Sequence, residues 1–84
     1  MVNVYLFIEL LGSANAVATL DTLKALELES CQFANVVRLS DEKLVAQLDC
    51  EDAPDGDKAI LNNIAGVEGV VQTNIVAVVR PRNG

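Results

Sequence analysis

Two rhythms of apolar residues run through this chain, one of period two and one of period three to four. The stretch KLVAQLDCE, 43–51, sets Leu44, Ala46, Leu48 and Cys50 against Val45, Gln47, Asp49 and Glu51, the alternation of a strand with one face on a core. CQFANVVRL, 31–39, is strand-like as well, and only Ser40, Asp41 and Glu42 lie between the two runs. An interval of that length predicts an antiparallel hairpin. VNVYLFIEL, 2–10, is rich in β-branched and aromatic residues and reads as a strand buried on much of both faces. After Gly12, Ser13 stands as a helix N-cap, and Val17, Leu20, Leu23 and Leu26 recur at helical spacing. A helix over 14–26 is predicted, with that stripe on the core.

Turn chemistry follows the hairpin. In DAPDGD, Pro54 suits a helix start, and Asp55 and Asp57 suit the positive N-terminal end of a helix. Ile60, Leu61 and Ile64 mark a short second helix, Gly66 and Gly69 bracket its exit, and 70–79 makes a last strand closed by Pro81. The order is β-α-β-β-α-β. It predicts an α+β, ferredoxin-like fold of one domain over residues 1–84, a four-stranded antiparallel sheet with two helices on one face.

Such a sheet leaves its second face bare, and period-two alternation puts apolar residues there too. In the last strand Val71, Ile75, Ala77 and Val79 fall on one side and Val70, Val76 and Val78 on the other; in the first, Tyr5 and Phe7 oppose Val4, Leu6 and Ile8. A contiguous apolar face across several strands exceeds what a monomer usually exposes. The expectation is that a second copy covers it, with Tyr5, Phe7, Val70, Val76 and Val78 as the interface and a dimer or larger homo-oligomer as the product.

Charge and composition narrow the function. The 84 residues carry a net charge of −6, and the six basic ones, Lys24, Arg38, Lys43, Lys58, Arg80 and Arg82, are scattered. Nucleic-acid binding needs clustered Lys and Arg, so no direct nucleic-acid partner is expected. No leader opens the chain and no apolar run approaches the ~18 residues of a spanning helix, which predicts a cytoplasmic protein with no membrane partner. Cys31 and Cys50 could pair, but a disulfide-stapled secreted domain normally carries more cysteines, and the plainer reading is two reduced, buried thiols.

Catalytic chemistry finds little to work with. The absence of His removes the commonest general base and a major zinc ligand. No CxxC spacing supports a metal or redox pair, and the glycines form neither a dinucleotide fingerprint nor a phosphate loop. The carboxylates of 49–57 do not match a calcium loop and read as a solvated acidic turn. No enzyme activity, cofactor or metal is predicted. The polar groups that stand out lie in or between strands: Arg38, Ser40, Asp41 and Glu42 at the hairpin, Thr73 and Asn74 in the last strand. Polar groups amid apolar walls at a subunit edge can orient a small ligand, and these six are the candidate ligand-binding residues.

The ends of the chain carry a resemblance. MVNVYLFIEL resembles the opening strand of the effector-binding RAM domain of Lrp/AsnC transcription regulators, and GVVQTNIVAVV is similar to that family's final segment, with Thr73 at the matching polar position. The resemblance implies a stand-alone module that dimerises through sheet faces, assembles into rings and binds small effectors, typically amino acids, between dimers, with any regulatory role exerted through a partner. LSDEKL lacks the family's hairpin Gly and keeps acidic matches at Asp41 and Glu42. A second resemblance competes: KLVAQLDCED with VEGVVQTNIV looks like NapD, a cytoplasmic chaperone of twin-arginine signal peptides, which implies an acidic domain binding a basic peptide. A third expectation is a purely structural subunit of a larger complex.

Overall fold

The computed structural model describes residues 1–12 and 15–80, and of Leu61 only the backbone. Strand β1 spans Val2–Leu10, helix α1 Ala16–Ala25, strands β2 and β3 Cys31–Ser40 and Lys43–Cys50, helix α2 Ala53–Ala59, and strand β4 Val70–Val79. The strands form one antiparallel sheet in the order β2-β3-β1-β4. With two helices this is the ferredoxin-like α+β arrangement that the element order predicts.

One face of the sheet makes the core. Along β1, Val2, Val4, Leu6, Ile8 and Leu10 are buried; along β3, Leu44, Ala46, Leu48 and Cys50. The ladder sets Val4 opposite Leu48, Leu6 opposite Ala46 and Ile8 opposite Leu44, so the two central strands present their apolar halves to the same side. Helix residues Ala16, Leu23 and Ala59, with Ile64, close over them. Gly56 in α2 lies so near the sheet that a Cβ there would sit 3.1 Å from a Val4 methyl. The absence of a side chain is what lets the helix pack at that distance.

The helix ends follow local chemistry. Asn15 caps α1, its side-chain oxygen accepting the Val17 and Ala18 N–H groups at 3.1 Å each; the cap expected at Ser13 lies outside the described residues. From that start Ala16, Thr19 and Leu23 turn inward, and Val17, expected in the core stripe, is 56% exposed. Asp52 and Asp55 form a capping box at α2, with Pro54 in its first turn. The acidic turn is thus used at a helix N-terminus, as predicted. Beyond Ala59 the chain continues as a π-helical turn, Ile60–Ile64. Gly69 then takes φ 93°, a conformation that costs glycine little, and its carbonyl accepts the Leu11 N–H at 2.8 Å, tying the start of β4 to the end of β1.

The two edge strands carry bulges. In β2 the ladder shifts between Phe33 and Asn35 and between Arg38 and Ser40; in β4 the shifts leave Val71 and Val76 without partners. The shifts in β2 decide the state of the cysteines. Continued without bulges from Ser40 opposite Lys43, the ladder would set Cys31 opposite Asp52. The shifts take up Ala34 and Leu39, and Cys31 meets Cys50 instead. The two are joined in a disulfide, which corrects the reading of two reduced thiols. The Glu51 N–H donates to the Ser30 carbonyl at 2.9 Å, so the adjacent cysteine pair is a non-hydrogen-bonded one, where cross-strand side chains come closest.

Candidate functional site

The helix-free face of the sheet is ordered in rows. Reading across β2, β3, β1 and β4, the central rows are Asn35, Gln47, Tyr5, Ala77 and Val37, Val45, Phe7, Asn74. One end row is Gln32, Asp49, Asn3, Val79 and the other Ser40, Lys43, Glu9, Gln72. The face is therefore not apolar throughout, as the sequence pattern suggested. It holds a central apolar patch of Val37, Val45, Phe7, Tyr5 and Ala77 between rows that are polar except for Val79 at the β4 edge. Phe7, in the middle of the sheet, is 40% exposed.

The bulges in β4 rearrange the expected interface. Tyr5 and Phe7 lie on the open face. Val70 pairs with Leu10 and Val78 with Val4, partners that are buried toward the helices, so these two valines belong to the helix side. Ile75 goes with them, opposite Leu6. Val76 is the extra residue of a bulge and is half exposed. A strict period of two assigns these positions wrongly because each bulge inserts one residue and inverts the alternation beyond it.

The six candidate ligand residues fall into two groups. Arg38, Ser40, Asp41 and Glu42 surround the β2–β3 turn, where their polar groups partner one another: Arg38 and Asp41 approach to 3.7 Å, and the Ser40 hydroxyl oxygen accepts the Glu42 N–H at 3.3 Å. Thr73 and Asn74 lie on β4, three strand spacings from β2, about 14 Å across the sheet. By register Asn74 is on the open face, opposite Phe7, and Thr73 on the helix side, opposite Ile8. The Thr73 hydroxyl is buried and has no hydrogen-bond partner among the described residues. One chain does not gather the six into a single site.

A cleft of about 440 Å³ that the sequence did not announce lies between α1 and the turn before β4. Leu11, Asn15, Thr19, Thr22, Glu68 and Gly69 are among its lining residues. The i, i+3 spacing of Thr19 and Thr22 was the available signal, and no motif surrounded it. The Thr22 hydroxyl donates to the Ala18 carbonyl at 3.0 Å and Asn15 is engaged as the cap, so two of the cleft's polar groups already serve the helix. Among the described residues no three His, Cys, Asp or Glu side chains gather to hold a metal ion, and no helix is long and apolar enough to cross a membrane. Compared with known proteins, the chain matches no family model, no curated protein and no solved structure.

Proposed function

We propose that the chain is a non-enzymatic assembly module that packs the open face of its sheet against a second copy. The observation that supports this reading is the central patch: Phe7, Val37 and Val45 share one row across three strands, with Tyr5 and Ala77 in the next, and rows polar except for Val79 bound them on both sides. An apolar centre inside a polar rim is the anatomy of a protein interface. The face is also self-complementary. Lys43 and Asp49 lie at opposite ends of β3, so a copy turned end for end about a two-fold axis sets each lysine toward the other's aspartate and Phe7 toward Tyr5.

In this reading an amino-acid-like effector, the ligand implied by the Lrp/AsnC RAM resemblance, would be shared between copies, since the hairpin group and the β4 group stand apart in one chain. Regulation would act through whatever partner the assembly contacts. The NapD-like reading, in which the acidic chain binds a twin-arginine peptide, draws its support from the net charge of −6, and a structural-subunit role draws on the same patch. The cytoplasmic placement is part of the proposal. The disulfide argues against it, because such bonds persist in oxidising compartments.

The solution mass, measured by light scattering on the full chain with and without amino acids, tests the reading. A dimer or larger ring is expected. Phe7→Lys should reduce it to monomer by burying an unpaired charge at the centre of the contact, and Val78→Lys, on the helix side at its exposed margin, should leave the mass unchanged. A monomeric parent chain would refute self-assembly and move a twin-arginine peptide to the front of the titrations.

A further inference from the structure

Strand β2, like β4 at the other edge, has a weak hold on the core. Of its ten residues only Cys31 and Val36 are buried, and Phe33 packs partway against the core cluster. It lies at the sheet edge, bonded along one side to β3 alone, and its ladder is interrupted at Ala34 and Leu39. The first interruption isolates a three-residue segment, Cys31, Gln32 and Phe33. Just ahead of it Ser30 takes φ 62°, a left-handed conformation unfavourable for a residue with a side chain. Such a segment, at an edge and between a bulge and an unfavourable turn, has little of its own to keep it paired. The disulfide to Cys50 cross-links it to β3.

We infer that the Cys31–Cys50 disulfide is a redox clamp that holds the 30–34 segment of the edge strand on the sheet, and that a neutral dithiol reductant opens it from the Cys31 side. The direction of approach comes from the surface. Cys50 is fully buried, whereas Cys31 borders a recess of about 260 Å³ whose lining also includes Ser30, Gln32, Asp49 and Glu51 and excludes Cys50. The two carboxylates at the recess repel an anionic thiolate carrier, which favours a reductant without further negative charge.

The chemistry balances within the named reactants. One thiol of the reductant, as thiolate, attacks the Cys31 sulfur; its bond to Cys50 breaks, and Cys50 leaves as a thiolate that takes up the proton released. The second thiol then attacks the mixed disulfide, expels Cys31 as its thiol and closes the reductant into a cyclic disulfide. Two electrons and two protons pass to the protein. The released segment frays back to the bulge at Ala34, while β1, β3 and β4 keep their ladder and their core. The clamp stands apart from the sheet-face reading, because its readout is local to one chain whatever the mass of the assembly.

Hydrogen exchange read by mass spectrometry on the full chain, with and without dithiothreitol, tests it. In the oxidised chain 30–34 is expected to exchange slowly. After reduction it should come within about tenfold of unprotected rates while Val4, Leu6 and Ile8 in β1 stay protected by about a hundredfold or more. Cys31→Ala/Cys50→Ala should behave as the reduced chain without any reductant. Three results would overturn the clamp: protection at 30–34 equal to that of β1 after reduction, loss of protection in β1 together with 30–34, or uptake of a thiol-alkylating label by the unreduced chain.

Discussion

Strands β3 and β4 come from similar apolar material and meet different fates. In β3 every second residue from Leu44 to Cys50 is fully buried and those between are half-buried. In β4, richer in valine, no residue is fully buried, and Val71, Val76, Val78 and Val79 are 43–57% exposed. Hydrophobicity does not distinguish the two. Position does: β3 is flanked on both sides and stays in register with β1 along its length, while β4 lies at the edge and changes register against β1 twice. A central strand has its alternation enforced by two neighbours. An edge strand can absorb an extra residue, and each one it absorbs turns later side chains over.

The largest expected difference comes from shortening one apolar side chain in each strand. Leu48 is fully buried between Val4 and Phe33 in the ladder, and Leu48→Ala should cost about 3 kcal/mol in lost transfer energy and residual cavity. Val76→Ala, at the exposed bulge of β4, should change stability by no more than about 0.5 kcal/mol. Urea denaturation of the two variants measures both. Equal losses would show that β4 is packed as tightly as β3 and would end the contrast.

The same contrast explains what the sequence made legible. The hairpin, the order of elements and the buried half of β3 followed from periodicity, because in that strand nothing intervenes between pattern and register. The acidic turn at Asp52 to Asp57 was legible for a similar reason: capping is local, and the residues that cap lie in the sequence beside the helix they cap. The faces of β4 were not legible, since VVQTNIVAVV offers no glycine or charge to mark Val71 and Val76 as bulge residues. Nor was the disulfide. A bulge-free hairpin places Cys31 opposite Asp52, and only the two shifts in β2 bring it to Cys50. The six candidate ligand residues divide into two groups in one chain through distance rather than pattern, because the strand order puts β2 and β4 at opposite edges. In α1 the misassigned residue was Val17, where a helix starting at the Asn15 cap points outward.

Thr73 sharpens the comparison from within β4. Its hydroxyl is buried on the helix side with no partner among the described residues, and a buried hydroxyl left unpaired loses its hydration without recompense. Thr73→Val keeps the shape and removes the polar atom, so the variant should be more stable by about 1 kcal/mol, read as a raised midpoint in thermal unfolding. A lowered midpoint would show that the hydroxyl is hydrogen-bonded in solution, and the register placing it opposite Ile8 would need revision. The same variant bears on ligand binding. If Thr73 served an effector, the gain in stability would be accompanied by a loss of effector response.

The smallest effect isolates environment from chemistry. Each of the two strands carries an amide-to-acceptor bond of the same span on the open face: Gln47 donates to the Asp49 carboxylate in β3, and Gln72 to the Asn74 side-chain oxygen in β4, both at 3.3 Å. The first is partly buried and the second exposed. Water competes fully for the exposed pair, so Gln72→Ala should leave stability within about 0.5 kcal/mol of the parent. In β3 the carboxylate acceptor and partial shielding should make Gln47→Ala cost about 1 kcal/mol, a difference that denaturant midpoints resolve when the variants are measured side by side. That partial burial belongs to the single chain; if the copies pack through this face, a second copy adds to it at Gln47 and Asp49 beside the central patch, and dilution to monomer should narrow the difference only to the value the single sheet sets. A difference unchanged by dilution would assign the shielding to the single sheet itself, to Tyr5 and the side chains across from Gln47, and not to a second copy.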